Sequence, residues 1–228
     1  MSAALIAAAF VVPIAYLVLV VTLLAKKTAT GVGVSLMSES GDLLTAAASS
    51  RTSALLEELQ FSLGAGPCLT AFASRSPVLV PDLSETATNS WPSYVLQARD
   101  HGIRAVFAFP LVVGVARLGA LDVYRGETGS LSAWALSRAM TYADVAMQTM
   151  LDAQSRESDA SPLLMDAADT RLEVYQAQGM VMVQLGISAD DALARMRAHA
   201  FAENTGLSVV ADDILARRLV LEPDAPGQ

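Results

Sequence analysis

Hydrophobic and polar positions follow three different patterns along the chain. Residues 1–25 are almost uniformly apolar and carry no charged side chain. Between Gly31 and Tyr124, short strand-like runs are separated by turn sequences and short helical stretches. After Ser130 the apolar residues recur at helical spacing. The pattern predicts an apolar leading helix, a mixed region of strands and helices, and a helical carboxyl-terminal part.

The mixed region predicts an antiparallel sheet flanked by helices. GVGVSLM and LLTAAAS, separated by the turn SESGD, form an early hairpin, and RAVFAFPLVVGVARLGALDVYRG contains two strands joined near Gly114. A short strand ends at Pro81. Short helices are predicted after an N-cap at Thr52 or Ser53, over Cys68–Ser74 with Pro67 in the first turn, and before Gly102. Because hairpins occur early and late, the fold class is α+β.

A long amphipathic helix ends the mixed region. Its predicted buried face repeats at helical spacing and consists of Trp134, Leu136, Met140, Ala143, Met147 and Leu151. The sheet face with Phe107, Phe109, Val112 and Leu121 could line a ligand cavity, but aromatic residues on a sheet more often form core. No ligand or cofactor is assigned to it.

Three shorter helices follow, and they predict a small all-α bundle. The first runs from about Arg171 to Leu185, and the second follows the N-cap Ser188. The third begins at Leu207 or Ser208 and ends at Arg217 and Arg218. Their inward stripes are Val174, Ala177, Val181 and Leu185; Ala192, Leu193, Met196 and Ala200; and Leu207, Val210, Ala211, Ile214 and Leu215.

A polar, proline-containing stretch, SRESDASPLLMDAAD, separates the two parts and predicts a domain boundary. The predicted division is an apolar helix over 1–28, a mixed domain over 29–155, a linker over 156–169, a three-helix domain over 170–222, and a tail over 223–228. About fifty residues give a marginal core, so the three-helix domain is expected to pack against another part of the chain or a second subunit.

The apolar segment allows two interpretations. Residues 1–25 are long enough to span a bilayer, and Lys26 and Lys27 follow as a cytoplasmic flank would. Alternatively, the segment is a buried helix that packs on the nearby sheet, started or kinked by Pro13. Both interpretations place the remainder in the cytoplasm. The membrane interpretation allows an alternative function, a membrane-tethered signalling protein that acts through protein partners without binding RNA.

Composition narrows the function classes. A net charge of −8 argues against general attraction to nucleic acid, so any such contact must use a local surface. The single cysteine, Cys68, excludes an internal disulfide and fits a reduced compartment. Its position at a helix start could lower its thiol pKa, but a packed small hydrophobe is the favoured role. No metal-ligand spacing and no nucleophile with a base is found, so neither a metal site nor an enzyme is predicted.

Two regions of the chain resemble known protein families. The region from LEELQF to LDVYRG resembles a GAF domain of the bacterial regulatory kind. Its motif residues are Gln60, Gly64-Ala65-Gly66-Pro67-Cys68, Asp82-Leu83, Trp91-Pro92 and Gly119-Ala120-Leu121. The region from YQAQGM to ILARRL resembles an ANTAR domain. Its motif residues are Ala177-Gln178-Gly179, Gly186-Ile187-Ser188, Ala192–Arg197 and Leu207–Leu219. The order, GAF then ANTAR, is typical of actinobacterial regulators.

The resemblance implies a transcription antitermination regulator. ANTAR proteins bind paired stem-loops in leader RNA and so disfavour a downstream terminator, while the GAF-like domain acts as sensor or dimerisation domain. Two loops require two RNA-binding domains, so a homodimer is expected. A small-molecule ligand of the GAF-like domain is allowed, and its identity is unknown.

Candidate RNA contacts are the arginines and the polar or aromatic residues of the three-helix domain, because these bond phosphates, bond base edges or stack on bases. They are Tyr175, Gln176, Gln178, Gln184, Ser188, Arg195, Arg197, His199, Arg217 and Arg218. Gln178 stands where many family members have lysine, which removes a charge from a plausible contact. Gly179 is costly inside a helix, and close helix packing is its favoured explanation over close approach to RNA.

Overall fold

The structure is a computed structural model that describes residues 29–37, 43–84, 90–155 and 162–222. The predicted leading helix (1–28) and tail (223–228) lie outside these residues. The chain divides into two compact units, Met1–Leu164 and Met165–Gln228. No helix in the described part of the chain is both long and apolar enough to cross a bilayer; the candidate span over 1–25 is not among the residues searched.

The first unit contains a five-stranded sheet in the order β2-β1-β5-β4-β3, in which every neighbouring pair is antiparallel. The strands are β1 Gly31–Met37, β2 Leu43–Ala48, β3 Val78–Val80, β4 Ala105–Val113 and β5 Ala116–Arg125. Both predicted hairpins are present, as β1–β2 and as β4–β5 joined around Gly114. The predicted fold class, an antiparallel α+β sheet with flanking helices, is confirmed.

Four helices flank the sheet: α1 Arg51–Leu63, α2 Pro67–Ser74, α3 Pro92–Asp100 and α4 Ala133–Ser155. The N-cap of α1 is Ser50, whose hydroxyl accepts a hydrogen bond from the Ser53 backbone N–H at 3.1 Å. The predicted N-cap, Thr52 or Ser53, is therefore wrong, because the serine one turn earlier takes that role. Pro67 begins α2 as predicted.

Alternation along the strands gives the sheet two different faces. One face carries Val32, Val34, Phe107, Phe109, Leu121 and Val123, which pack against Ala139, Ala143, Ala146 and Met147 of α4. Phe107, Phe109 and Leu121 thus belong to the hydrophobic core, as predicted, and do not line a cavity in the described structure. The other face lies under α1 and α3, with Leu56, Tyr94, Val95, Val106 and Tyr124 in its apolar part.

The predicted buried face of α4 is only partly correct. Ala143 and Met147 are buried, but Trp134 is 60 % exposed and Met140 48 % exposed. Small alanines at positions 139, 143 and 146 form the contact instead, because they let the helix lie close to the sheet. The Trp134 ring stacks with the Arg138 guanidinium, whose carbon lies 4.6 Å from the ring centroid.

The second unit carries helices α5 Pro162–Leu185, α6 Ala189–Ala202 and α7 Leu207–Leu215. Two predicted boundaries are wrong: α5 begins at Pro162, inside the proposed linker 156–169, and α7 ends at Leu215, before the two arginines. Ser188 caps α6 as predicted, accepting from the Asp191 N–H at 3.2 Å. All three helices contribute fully buried side chains, namely Val174, Ala177, Val181, Ala192, Met196, Ala200, Leu207, Val210, Ala211 and Ile214.

Candidate functional site

A pocket of about 700 Å³ lies on the second unit, between α5 and the chain that follows α7. Its apolar lining comes mostly from Gly179, Met180, Val183, Ile214, Leu219 and Val220, and its polar lining from Gln176, Gln184 and Arg217. Val183 in this lining is 87 % exposed. The structure therefore brings three of the ten candidate RNA contacts to one apolar pocket.

Gly179 lies on the open side of α5, at this pocket. A Cβ placed on Gly179 would meet no described atom within 4 Å outside the helix's own neighbouring backbone. The favoured explanation of this glycine, close helix packing, is therefore wrong for the described part of the chain. Because Gly179 has no side chain, the α5 backbone is accessible from the pocket.

Arg217 stands at a position that usually requires glycine. Its φ is +57°, in the left-handed region. Its N–H donates to the Ile214 carbonyl at 3.0 Å, and the Arg218 N–H donates to the Asp213 carbonyl at 2.8 Å. This is the Schellman arrangement that ends a helix, with glycine as the common residue at its left-handed position. A side chain there costs about 1 kcal/mol, yet the chain places an exposed arginine at the pocket.

Two other candidate contacts hold the end of the described chain. The Gln184 Nε2 donates to the Leu221 carbonyl at 2.6 Å, and the Arg195 Nη1 donates to the Glu222 carbonyl at 3.3 Å. These bonds hold the end of the segment that contains Leu219 and Val220, two residues of the pocket wall. Gln184 and Arg195 therefore have a structural task beside any contact with RNA.

A second group of candidates lies on the flank of α5 that faces the start of α6. The Gln178 Nε2 donates to the Ala189 carbonyl at 2.7 Å, and Ser188 caps α6. Burial lowers the pKa of the half-buried Arg197, and the charges of Tyr175 and Asp190 act in the opposite direction. These residues connect α5 to α6 instead of lining the pocket.

The remaining two candidates are separate from both groups. The Arg218 guanidinium forms an ion pair with Asp213, with 2.7 Å between Nη2 and Oδ1. His199 is half-buried on the last turn of α6. The ten candidates thus do not form one surface, and Arg217 is the arginine that the structure places at the pocket.

Two family models match the chain. A GAF domain model matches residues 17–150, which is more than half of the chain, and an ANTAR domain model matches residues 164–215. The chain belongs to the GAF family, and an ANTAR domain follows its GAF domain. The pocket and all ten candidate contacts fall on, or within three residues of, the ANTAR match, apart from the pocket wall at Leu219 and Val220.

Solved structures show the same fold for the GAF domain. The GAF domain/HD domain protein from Geobacter sulfurreducens is 15 % identical, with a TM-score of 0.54, and the match covers 68 % of this chain and 99 % of that one. A domain of a two-component sensor histidine kinase protein from Sinorhizobium meliloti is 14 % identical, with a TM-score of 0.50 and coverage of 64 % and 98 %. A search of curated proteins found no match. At this identity the likeness is one of fold alone.

The GAF domain contains a buried polar cluster that the sequence did not predict. Glu57 of α1, Cys68 at the start of α2 and Asp122 of β5 are all fully buried, and one potential metal-ligand atom of each lies within 4.8 Å of the others. The sequence has no metal-ligand spacing, yet these three described residues bring potential ligand atoms together. The absence of a predicted site rested on spacing along the chain, whereas these residues converge from three separate elements.

Hydrogen bonds tie this cluster to its surroundings. The Tyr124 hydroxyl donates to Glu57 Oε1 at 2.6 Å, and the Ser35 hydroxyl donates to Glu57 Oε2. The Gln60 Nε2 donates to Asp122 Oδ2 at 2.8 Å, while Gln60 Oε1 accepts from the Cys68 N–H at 2.8 Å. No N–H or O–H group of the described residues donates to Asp122 Oδ1, and the Tyr94 hydroxyl forms no hydrogen bond of full geometry, although it interacts with Tyr124.

Glycine makes room for the cluster. A Cβ on Gly33 would lie 1.8 Å from Glu57 Oε1, and a Cβ on Gly66 would lie 2.4 Å from Gln60 Oε1. Glu57 of α1 can approach β1, and Gln60 of α1 can approach the start of α2, only because these two positions lack side chains. The signal in the sequence was a carboxylate inside the apolar strand LGALDVY together with Glu57 and Gln60 three residues apart on one helix face.

Burial in the cluster disfavours the charged forms of Asp122 and Cys68. Burial, and next the charge of Glu57, raise the pKa of Asp122 well above its usual value. Burial, and next the charge of Asp122, raise the pKa of the Cys68 thiol well above its usual value. The suggestion that the start of a helix lowers the pKa of Cys68 is therefore wrong, because desolvation and two nearby carboxyl groups outweigh the helix.

Proposed function

We propose that this GAF–ANTAR protein is a transcription antitermination regulator. Its ANTAR domain binds paired stem-loops in leader RNA, and its GAF domain controls when two such domains act together. The observation that carries the proposal is the ANTAR match over 164–215, which spans α6 and α7 and most of α5. Both domains are of regulatory kinds, so the protein acts by binding and not by a chemical step.

The pocket at Gly179 supports a way to bind an RNA loop. Sequence-specific recognition of RNA uses unpaired loop bases that are splayed out and stacked on aromatic or guanidinium planes. The pocket offers an apolar wall from Met180 and Val183, an exposed guanidinium from Arg217, and an amide from Gln176. An unpaired base can enter beside the bare α5 backbone at Gly179, with its phosphate near Arg217.

The charge of the domain determines how this binding should depend on salt. Residues 170–220 contain five arginines and six acidic residues, and Arg218 is already paired with Asp213. Few phosphates can therefore be neutralised, and the affinity should fall only weakly with salt. Recognition must then come chiefly from base contacts in the loops, which suits a protein that selects particular hairpins.

Two hairpins require two ANTAR domains, and a homodimer supplies them. Once one domain is bound, the second binds at an effective concentration set by the linkage, so a two-hairpin RNA is held far more tightly than either hairpin alone. A GAF domain that brings two chains together, or separates them, would thereby regulate termination without contacting RNA.

The test starts with the RNA that the full-length protein selects. RNA that co-purifies with the tagged chain from its own cells is sequenced, and the enriched segments are folded and aligned. We expect pairs of adjacent hairpins upstream of terminators. Binding of one such two-hairpin RNA is then compared with each single hairpin and with a duplex of equal length, by fluorescence anisotropy.

The expected result is at least about a hundredfold preference for the two-hairpin RNA over a single hairpin. A protein that selects no hairpins, or that binds the duplex as well as the hairpin pair, would contradict the proposal. Because the duplex has the same number of phosphates, it separates loop recognition from general attraction to nucleic acid.

A further inference from the structure

The buried polar cluster of the GAF domain contains more anionic groups than its surroundings compensate. Asp122 accepts hydrogen bonds from Gln60 and Tyr124, and its carboxyl group also shares a hydrogen bond with the Glu57 carboxyl group, while no lysine or arginine among the described residues pairs with it. No N–H or O–H group of the described residues donates to its second oxygen, Oδ1. A fully buried carboxyl group with an unused oxygen is rare, since each such atom costs about 1–3 kcal/mol.

Tyr94 gives a second, independent indication that something is accommodated here. Its side chain is fully buried on α3, and its hydroxyl has no hydrogen bond of full geometry among the described residues, although the Tyr124 hydroxyl lies near enough to interact with it. The neighbouring charges that act on this hydroxyl are those of Asp122, Glu57 and Cys68. A different element of the fold thus buries a polar atom in the neighbourhood of the same three groups.

The donor set identifies the chemical class of the occupant. One thiol and two carboxyl groups offer ligand atoms within 4.8 Å of one another. Ligands of a tetrahedral zinc ion lie about 3.4–3.8 Å apart, from bond lengths of about 2.0–2.3 Å, so closing the site requires shifts of about 1 Å in the side chains. A sulfur ligand disfavours magnesium and calcium, which prefer oxygen alone.

We propose that Glu57, Cys68 and Asp122 form a binding site for one divalent transition-metal ion of the zinc class. The ion displaces the protons of Cys68 and Asp122, and it gives Asp122 Oδ1 the partner it lacks. The site joins α1, α2 and β5, the elements that form this side of the GAF domain, so occupancy ties these elements together.

Cobalt is the probe, because Cys68 is the single cysteine of the chain. Full-length protein is freed of metal with a chelator, kept reduced without added thiols, and titrated with Co²⁺. A sulfur-to-cobalt charge-transfer band can then come only from Cys68. We expect one Co²⁺ per chain with this band, displaced by Zn²⁺.

Variants test the other two ligands. Asp122→Asn should weaken Co²⁺ binding by more than about tenfold, whereas Asp144→Asn, the same change on an exposed position of α4, should leave it unaltered. Zn²⁺ should raise the unfolding temperature of the wild type but not that of Cys68→Ala, a small-for-small exchange in the core. This second measurement stands even if Asp122→Asn does not fold.

Three outcomes would overturn the proposal. The first is that stoichiometric Co²⁺ produces no sulfur-to-cobalt band in the folded wild type. The second is that the band and the affinity survive unaltered in folded Asp122→Asn. The third is that Zn²⁺ raises the unfolding temperature of Cys68→Ala as much as that of the wild type. In any of these cases the cluster is a buried hydrogen-bond network and not a metal site.

Discussion

The two domains depart from the usual arrangement of polar and apolar groups in opposite directions. The GAF domain buries two carboxyl groups, a thiol and two tyrosine hydroxyls beside its sheet. In the second unit, the exposed valines Val183 and Val220 lie together at the wall of a pocket, with 87 % and 62 % exposure. Neither arrangement by itself favours folding, and a binding partner would offset its cost in each case.

Glycine distinguishes the two domains in the same way. In the GAF domain, Gly33, Gly66 and Gly119 are positions where a Cβ would strike a neighbouring atom. In the ANTAR domain, Gly179 has open space in front of it. One residue type therefore serves close packing in one domain and an accessible surface in the other, and only the three-dimensional neighbours show which.

Among the proposed variants, Gly119→Ala in β5 is expected to lower the free energy of unfolding most. The added Cβ would lie 1.9 Å from the Ser35 carbonyl oxygen, which is backbone and cannot rotate away. We expect a loss of about 3 kcal/mol or more in the free energy of unfolding, measured by urea denaturation. A loss below about 1 kcal/mol would mean that the β1–β5 contact is looser than described.

Gln60→Ala tests the buried network directly. It removes the bonds to Asp122 and to the Cys68 N–H and leaves both groups buried, so we expect a loss of about 2–3 kcal/mol. The control is Gln148→Ala on the exposed side of α4, which should change stability by less than about 0.5 kcal/mol. Equal effects of the two changes would contradict a polar core that depends on Gln60.

The raised pKa of Asp122 predicts a dependence of stability on pH in metal-free protein. Above its ordinary pKa of 3.8 and below the raised value in the folded chain, folded Asp122 keeps a proton that the unfolded chain loses. Stability therefore falls as pH rises through this window.

Asp122→Asn should remove this dependence and raise stability at neutral pH by about 1 kcal/mol or more, since no charge remains to be buried. The measurement is denaturation in chelator at several pH values. If stability rises with pH over this window in the wild type and not in the variant, Asp122 is ionised in the fold and the account of the cluster fails.

Gly179→Ala is expected to give the smallest change in stability, and that change is an increase. Alanine is favoured over glycine in a helix by about 1 kcal/mol, and nothing described obstructs the methyl group. The variant should be more stable by about 0.5–1 kcal/mol while binding hairpin RNA less tightly, because the methyl group enters the pocket. A destabilised variant would indicate an undescribed neighbour at this position.

The sequence predicted the order of elements well and the buried cluster not at all. Periodicity sufficed for both hairpins, for α6 with its Ser188 cap, and for most of the stripes of α5 to α7, because those features depend on residues close together in the chain. Leu185, Leu193 and Leu215 of these stripes are only half-buried. Glu57, Cys68 and Asp122 are brought together by strand pairing and helix packing, which no local pattern encodes. Trp134 and Met140 were predicted to be buried but are exposed, because helical spacing alone does not determine which side of α4 contacts the sheet.

The candidate RNA contacts show the same limit. Residue type alone selected ten side chains, and the structure separates them: three line the pocket, and others cap α6, bond backbone carbonyls or pair with Asp213. The left-handed conformation of Arg217 depends on where α7 ends, and that boundary was predicted two residues too late.

The central claim is that the ANTAR domain binds hairpin RNA at the pocket beside Arg217, and two arginine variants test it most directly. Arg217→Gly suits the left-handed backbone and removes only the guanidinium, whereas Arg218→Ala removes an arginine that is already paired with Asp213. With the two-hairpin RNA, we expect Arg217→Gly to weaken binding about tenfold and to reduce the slope of log affinity against log salt by about 1. Arg218→Ala should weaken binding less than about threefold. Equal losses in both variants, or no loss in Arg217→Gly, would contradict the claim.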